Sequence, residues 1–233
     1  MLGIVVSLPW ELKSLTRQAI PAGTWKAITE DTLVALSGIG AERAYAAGSV
    51  LISQGATALL SWGYAAALDD RLKAGCLLLP ERIVSVNGAI HPVSAEWHRR
   101  LYQALETKHP VRTDALVESD AIIKTPAEKR ALAQRTRAAA TDMESAAHAR
   151  VAQEHRLPFL ALRAIIDTAS TDIPANVLKA LDSQGRINFW KLFGSVYLTP
   201  ADWVKIVLLG IQFYAAQRTL RNTKELALDS SRF

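Results

Sequence analysis

The sequence predicts an α/β protein with a central mixed, mostly parallel β-sheet flanked by helices. Three apolar runs of strand length, at 2–6, 33–36 and 159–166, suit parallel strands that are covered on both faces. Segments with the apolar spacing of helices follow such runs along the chain. The 233 residues contain no linker rich in Pro, Gly or Ser, so we expect a single domain over 1–233, with a C-terminal helical extension at 171–233.

Composition and charge exclude several classes of protein. Half of the residues are hydrophobic and the net charge of +5 is dispersed, which argues against a disordered chain and against a nucleic-acid partner. The single cysteine, Cys76, excludes an internal disulfide and fits a reducing compartment. The five histidines lack zinc-site spacing, so we predict no metal and no cofactor. The basic residues of 129–137 most simply form a solvated helix face.

The N-terminal apolar run does not have the pattern of a signal peptide, because it lacks a basic leader and reaches Glu11 early. No segment has the roughly 18 to 20 apolar residues that a membrane-spanning helix needs. We therefore expect a cytoplasmic protein, either free in solution or peripheral at the inner face of the membrane.

The first two strands each lead into a helix. Residues 7–11 turn from the first strand into a helix that carries Glu11 in its first turn. The second strand ends in Ser-Gly-Ile-Gly, whose glycines expose backbone N–H groups before a helix N-terminus and can hold an anion. Arg43 in that helix is either an anion ligand or a solvent-facing arginine. The candidate phosphate-binding residues are Gly38, Gly40 and Arg43.

The middle of the chain continues the alternation. A third strand is predicted at 57–61 and is followed by a turn that contains Gly63 and Tyr64. Asn-Gly at 87–88 signals a further turn. The remaining predicted elements are a longer strand over 76–86, a helix over 96–105 and a strand over 116–123.

The segment 140–170 contains the strongest candidates for chemistry. Asp142 is an N-cap type residue before a helical pattern, and Glu144 follows it in the first turn. Arg163 interrupts the buried strand after that helix and needs a partner, for which Glu144 is the candidate. Asp167 follows the strand, at the edge where ligands of open α/β sheets bind. The pattern alone leaves open whether these are catalytic groups or a structural ion pair with Asp167 as a helix cap.

Two motifs in this segment resemble a known family. D-M-E-S-A-A at 142–147 and L-P-F-L-A-L-R-A-I-I-D-T-A at 157–169 resemble the paired signature of the purine nucleoside phosphorylase and 5'-methylthioadenosine/S-adenosylhomocysteine nucleosidase superfamily. The resemblance implies a nucleoside phosphorylase-like fold. It also implies that Met143 and Glu144 hold the ribose and that Asp167 protonates the purine at N7.

The same resemblance, which covers most of 1–170, implies further site residues. Glu11 corresponds to the acidic residue that activates water in the nucleosidases, although the residues alone favour a first-turn carboxylate that interacts with the helix dipole. Gly63 and Tyr64 correspond to a turn near the sugar, and Ile122 and Ile123 to the base-binding positions. The chain departs from the family pattern where Tyr64 replaces a small hydroxyl residue, where Ile122 and Ile123 replace a stacking aromatic ring, and where Ile166 replaces a serine beside the acid.

The C-terminal part is similar to a narrower branch. L-D-S-Q-G-R at 181–186, followed by further helical segments, resembles the hopanoid-associated phosphorylases, which act on the lipid adenosylhopane. A helix predicted over 201–220 has too many apolar groups for one narrow stripe, so it is buried in the fold, in a subunit contact or against lipid. Four aromatic and lysine residues suit a membrane boundary: Trp190, Lys191, Trp203 and Lys205.

The resemblance therefore implies cleavage of the N-glycosidic bond of a 5'-substituted adenosine. The nucleophile stays open: Glu11 favours water, whereas the anion loop at 37–40 with Arg43 would bind inorganic phosphate as a co-substrate. The alternatives are a general methylthioadenosine or adenosylhomocysteine nucleosidase and a non-catalytic protein that binds an adenosine-containing lipid. Because relatives of this fold usually pair, we expect a homo-oligomer.

Overall fold

The computed structural model describes residues 1–173 and 203–230, and only the backbone of Trp203. Within these ranges the chain forms eleven strands and six helices. The strands are β1 (Leu2–Val6), β2 (Thr24–Thr29), β3 (Thr32–Leu36), β4 (Ala58–Ala67), β5 (Leu77–Leu78), β6 (Arg82–Val84), β7 (Ile90–Pro92), β8 (Val111–Arg112), β9 (Leu116–Glu118), β10 (Ala140–Asp142) and β11 (Phe159–Asp167). The helices are α1 (Pro9–Leu15), α2 (Ala41–Ser53), α3 (Ala95–Glu106), α4 (Pro126–Thr136), α5 (Ser145–Glu154) and α6 (Trp203–Ser230).

The strands of the described ranges build one mixed sheet around β4. The first half of β4 lies between β1 and β11 and is parallel to both, with Leu60 beside Ile4 on one side and Leu160 on the other. The second half of β4 stays parallel to β11 but pairs with β10, which runs antiparallel to it. The predicted mixed, mostly parallel sheet in a single α/β domain is confirmed.

Helices cover both faces of this sheet. The pair α2 and α5 packs on one face, while α1, α3 and α6 pack on the other. The strands are buried on both faces as their continuous apolar runs predict: Ile4, Leu60 and Leu160 are fully buried. Burial of each such side chain contributes about 1.5–3 kcal/mol to the stability of the fold. The core therefore holds the ends of the strands in fixed positions.

Two predicted strands have different bounds. The segment 63–67 is the second half of β4 and not a turn, because Gly63 to Ala65 pair with Arg163 to Ile165 of β11. The predicted strand over 76–86 is two short strands, β5 and β6, separated by Pro80, which has no backbone N–H to donate to a sheet.

The predicted strand over 116–123 and the predicted start of the next helix are also corrected. β9 ends at Glu118, and Ser119 then hydrogen-bonds through its hydroxyl to the carbonyl of Ala121. Residues 140–142 form β10 beside β9, so α5 begins at Ser145 and not at Asp142. Asp142 nevertheless accepts the backbone N–H of Ser145, as an acidic residue before a helix does.

The C-terminal helix α6 extends ten residues beyond the predicted 201–220. Its second half packs on the core through a stripe at helical spacing: Ala216, Leu220, Thr223 and Ala227 are buried. The L-D-S-Q-G-R segment at 181–186 and the residues Trp190 and Lys191 lie outside the described residues. In the described ranges, no helix combines the length and the apolarity needed to cross a membrane.

Candidate active site

Glu11 lies against the middle of β4. Its Oε2 accepts the backbone N–H groups of Ser7 and Leu8 at 2.7 and 2.9 Å, and its Oε1 accepts that of Tyr64 at 2.9 Å. The carboxyl group fits because Gly63 has no side chain: a Cβ there would be 2.2 Å from Oε1. Burial raises the pKa of Glu11, and the nearby Arg163 partly opposes that rise.

Glu144 reaches the same region from the start of α5. Its Oε1 accepts the backbone N–H of Gly40 at 2.9 Å, and its Oε2 accepts that of Met143, a half-buried residue. Burial, followed by the charge of neighbouring Asp142, raises the pKa of Glu144 to about 8. The charge of Glu11 adds to this rise in the pKa of Glu144, and that of Arg163 opposes it.

The predicted pairing of Arg163 with Glu144 is wrong, because Arg163 pairs with Asp142. Both Nε and Nη2 of Arg163 lie 2.8 Å from Asp142 Oδ2, and the guanidinium also donates to the carbonyl and hydroxyl of Ser61. The later start of α5 explains the error, since Asp142 is still on a strand next to β4 and faces Arg163 across it. This buried pair leaves Glu144 without an arginine partner and keeps its hydrogen bonds on backbone N–H groups.

The Arg163 network continues to a buried histidine. Ser61 accepts from Arg163 and lies 2.7 Å from Nδ1 of His148, so the hydroxyl hydrogen points to the imidazole. Burial lowers the pKa of His148 to about 3, which keeps the ring neutral beside the guanidinium. The network fixes the strand register beneath the carboxyl cluster.

Asp167 is the last residue of β11 and lies beside Ala66 of β4. It is 3% exposed, and its Oδ2 accepts from the ammonium of Lys129. Burial raises the pKa of Asp167, while the lysine opposes the rise. The prediction that 129–137 forms a solvated face is therefore wrong at Lys129, although Arg130 and Arg135 on the same helix are exposed.

The two isoleucines predicted to contact the base lie in the loop between β9 and α4. Ile122 is partly exposed, whereas Ile123 packs against the small cluster that contains Leu132. A backbone hydrogen bond from Ile173 to Lys124 ties this loop to the segment after Asp167. The fold thus brings the predicted base-binding loop next to the predicted acid.

The side chain of Tyr64 packs against α6. Its ring lies 5.4 Å from that of Phe213, which in turn contacts Trp10 edge-on at 5.9 Å. The phenol oxygen is buried and has no hydrogen-bond partner in the part of the chain described. Burial raises the pKa of Tyr64, so the phenol stays neutral.

The candidate phosphate residues are divided between two places. The N–H of Gly40 is bound to Glu144, whereas the Arg43 side chain lies beside Gly38. Gly38 and Arg43 line a cavity of about 320 Å³ between α2 and the β2–β3 pair. The structure therefore connects Gly40 to the carboxyl cluster and places Arg43 at a separate cavity.

The positions of the carboxyl groups suit a nucleoside that lies along β4. Glu11 contacts β4 at Gly63 and Tyr64, and Asp167 lies beside Ala66, about 7–10 Å further at roughly 3.3 Å per residue. Two carboxyl groups at one end can bind sugar hydroxyls and a water molecule, and one carboxyl group at the other end can protonate a base.

Sequence reasoning did not find Asp142 as the arginine partner, nor Lys129 or Glu118. Glu118 ends β9, and its Oε2 accepts the N–H of Ala147 in the first turn of α5. Lys129 lies about one turn after the helix start that Thr125 and Pro126 signal, and one turn before the apolar Leu132. Its place on the same helix face as Leu132 was the available signal in the sequence. Lys129 and Glu118 belong to no short motif, and the motif that contains Asp142 does not indicate its partner.

Comparisons with known proteins agree with this architecture. A family model described as the Phosphorylase superfamily matches residues 2–187, and the chain belongs to that superfamily. The protein is accordingly an enzyme of the nucleoside phosphorylase and nucleosidase type. A comparison with curated proteins finds no match to the sequence.

Solved structures of similar fold include three bacterial nucleosidases. Futalosine hydrolase of Helicobacter pylori is 17% identical with a TM-score of 0.74, covering 98% of this chain and 97% of that chain. The 5'-methylthioadenosine/S-adenosylhomocysteine nucleosidase of the same organism is 18% identical with a TM-score of 0.69, covering 96% and 97%. The nucleosidase of that name from Neisseria meningitidis is 16% identical with a TM-score of 0.69, covering 98% and 96%.

Proposed function

We propose that the enzyme cleaves the N-glycosidic bond of a 5'-substituted adenosine and releases adenine. The observation that carries the proposal is that Glu11 contacts the middle of β4, while Asp167 of β11 lies beside Ala66, two to three residues further along β4. Glu144 is held at Gly40, in the loop after β3. A nucleoside that spans this distance has its ribose at the two glutamates and its purine at Asp167.

Each carboxyl group has a chemical task in this reaction. Positive charge develops on the ribose and negative charge on the departing purine, so Asp167 protonates N7 while Glu144 binds the ribose hydroxyls. Burial of Asp167 favours its protonated form, as a general acid near neutral pH requires. Met143 packs beneath the ribose, and the backbone of Ile122 and Ile123 reads the edge of the adenine.

Water is the nucleophile that we favour. The backbone N–H of Gly40 is already bound to Glu144, so the loop offers one fewer donor to an inorganic phosphate. Glu11 accepts three backbone hydrogen bonds, which leaves its carboxylate oriented and able to accept one more from water. Binding of phosphate at Gly38, Gly40 and Arg43 is the alternative, and it would yield a ribose 1-phosphate.

We propose adenosylhopane as the substrate. The ring of Phe213 contacts both Tyr64 and Trp10, and the three rings form an apolar wall that begins one residue from Gly63, where the sugar end of the nucleoside would lie. Next to Phe213, α6 exposes an apolar stripe made of Val204, Val207, Leu208, Ile211 and Tyr214. A lipid 5' group would extend from the wall along this stripe, at a peripheral contact with the membrane.

The structural neighbours favour a second candidate. Proteins of this fold include 5'-methylthioadenosine/S-adenosylhomocysteine nucleosidases, and one structure from Helicobacter pylori contains butyl-thio-DADMe-Immucillin-A. A general nucleosidase of this type would accept short 5' groups. A non-catalytic binder of adenosine lipid is motivated by the unusual residues at Tyr64, Ile122 and Ile166. Each of these enzymes or binders is expected to form a homo-oligomer.

The test is adenine release from adenosylhopane in detergent and from methylthioadenosine, each with and without phosphate. We expect release from the lipid without phosphate, and a loss of at least about 100-fold in Asp167→Asn, because the asparagine cannot donate an acidic proton. Adenine release from methylthioadenosine but not from the lipid would favour the general nucleosidase over an enzyme that acts on adenosylhopane. Binding of both compounds without release would favour the non-catalytic binder, and dependence on phosphate would make the enzyme a phosphorylase.

A further inference from the structure

Lys129 is a fully buried lysine whose ammonium is completely satisfied. Its relative exposure is 0%, and Nζ donates to Asp167 Oδ2 and to the carbonyls of Thr168 and Thr171 at 2.7 and 3.3 Å. These contacts use all three N–H donors of the ammonium. Burial of a charged lysine is costly unless it is paired and hydrogen-bonded, and these contacts meet that requirement, so removal of the ammonium would leave the buried carboxyl group of Asp167 without its partner.

The helix that carries Lys129 is held rigidly at its start. Thr125 accepts the backbone N–H of Glu128, and the Glu128 carboxylate accepts the N–H groups of Lys124 and Thr125, which together form a capping box. Leu132, one turn after Lys129, packs into the core. The capped helix start and the packing of Leu132 therefore hold the Lys129 backbone in place relative to Asp167.

The lysine makes the two oxygens of Asp167 different from each other. Oδ2 accepts from Lys129, while Oδ1 accepts no hydrogen bond from any residue in the described ranges. A proton on Asp167 is therefore carried by Oδ1, since Oδ2 already faces a donor.

We propose that Lys129 is a positioning residue for the protonation of the leaving purine: it holds Oδ2 of Asp167, directs Oδ1 to the base and stabilises the carboxylate that remains. The inference rests on the proposed N-glycosidic cleavage. It adds a residue to the reaction that acts through Asp167 and does not touch the substrate.

The step balances without a further reactant. The Oδ1–H bond of Asp167 breaks and an N7–H bond forms on the purine. The electrons of the C1'–N9 bond go to the departing base, while water forms a new bond to C1' and gives its proton to Glu11. The carboxylate left on Asp167 is paired with the ammonium of Lys129, which keeps its own protons throughout. Glu11 then releases its proton to solvent, and Asp167 takes one up from solvent, which restores the starting state of the enzyme.

The experiment compares two leaving groups in the full-length enzyme. Adenine needs protonation to depart, whereas 4-nitrophenolate leaves a 4-nitrophenyl riboside without it. In Lys129→Met we expect adenine release from the adenosine substrate that the wild type cleaves to fall by about 100-fold, within the range of general acid catalysis. Cleavage of the nitrophenyl riboside should stay within about threefold. Arg130→Met, an exposed neighbour on α4, is the matched control and should change neither reaction.

The pH dependence of adenine release distinguishes a positioning role of Lys129 from a purely structural one. The ammonium favours the ionised form of Asp167, so its removal should let Asp167 keep its proton to higher pH. The alkaline limb of adenine release in Lys129→Met should therefore shift to higher pH than in the wild type. Lys129→Gln, which keeps a hydrogen-bond donor without the charge, should show the same shift if the methionine variant does not fold.

Other outcomes would overturn the inference in distinguishable ways. Equal losses on both substrates without a shift of the alkaline limb would reduce Lys129 to a structural ion pair. Full adenine release in Lys129→Met would show that Asp167 needs no partner. A wild type that cleaves the nitrophenyl riboside but releases adenine from no adenosine would overturn the proposed function itself, and this inference with it.

Discussion

Gly63 is the residue that lets Glu11 reach the centre of the sheet. The carboxyl group fills the space that a side chain would occupy, and it accepts the N–H of the next residue, Tyr64. A glycine in a strand costs conformational entropy, and here it permits the close approach of a carboxyl group. The need for glycine at residue 63 therefore comes from the carboxyl group of Glu11 and not from the backbone conformation of β4.

We expect Gly63→Ala to displace Glu11 and to abolish adenine release. The new Cβ would be 2.2 Å from Oε1, so the carboxyl group must move and lose its bond to Tyr64. The displacement should also lower the free energy of unfolding by about 1–3 kcal/mol, as overpacking does. Urea unfolding and an adenine-release assay on the same preparation measure both effects.

Gly210→Ala is the matched control for this substitution. A Cβ at Gly210 meets no atom within 4 Å, and the residue lies inside α6. Because alanine favours helix more than glycine, the control should keep full activity and gain up to about 1 kcal/mol of stability. Full activity in Gly63→Ala would show that Glu11 has no part in the reaction.

At the scale of elements, the start of α5 is held by two carboxyl groups. Asp142 accepts the N–H of Ser145, and Glu118 accepts that of Ala147 at 2.9 Å. Both interact favourably with the N-terminal end of the helix dipole. Burial nevertheless raises the pKa of Glu118 to about 7, and the charge of Asp142 adds to the rise.

We expect Glu118 to make the protein less stable as the pH rises from about 4.5 to about 7. Its pKa is higher in the folded than in the unfolded state, so the folded protein binds more protons in that window and the free energy of unfolding falls with pH. Glu118→Gln removes this contribution. Relative to the wild type, the variant should gain stability between pH 5 and pH 7.5 in urea unfolding.

The control for this prediction is Glu106→Gln, which changes an exposed carboxylate at the end of α3. Its stability difference from the wild type should be nearly the same at both pH values. If the difference between Glu118→Gln and the wild type were equally independent of pH, the carboxyl group of Glu118 would titrate alike in the folded and unfolded states.

The elements could be predicted from the sequence more completely than their contacts. Apolar runs and helical spacing identified β1, β3 and most of β11, because burial on both faces leaves a local pattern. The partner of Arg163 depends on where β10 ends and α5 begins, and β10 is only three residues long. Such a boundary is set by pairing with β4 and β9 and leaves no periodic signal in so short a strand.

The candidate site was also predicted only in part. Glu11, Glu144 and Asp167 were singled out through a family resemblance, and the structure places Glu11 against β4 and Glu144 at the loop after β3. Lys129 was assigned to solvent because a lysine among other basic residues is usually exposed. Its burial arises from a contact with a strand 38 residues away, which no local pattern encodes.

At the scale of the whole molecule, α6 has two different parts. Its second half is packed on β11, α1 and α3, whereas its first half leaves five apolar residues of the stripe between 49% and 78% exposed. The stripe recurs at helical spacing from Val204 to Tyr214, so it forms one continuous face. The proposed lipid substrate requires this face to meet a membrane, where the net positive charge of the protein would be attracted to anionic lipid and the apolar groups would insert.

We expect the wild type to bind vesicles of phosphatidylcholine and phosphatidylglycerol and Val207→Glu to bind them at least about tenfold more weakly. The substitution loses the burial of a valine and adds a charge at the centre of the stripe. Asn222→Glu adds the same charge to the same helix beyond the stripe and should bind like the wild type. Co-sedimentation with the vesicles measures binding. Sedimentation velocity identifies the competing case, since a Val207→Glu variant that separates an oligomer into monomers would mean that a second copy of the chain covers this face.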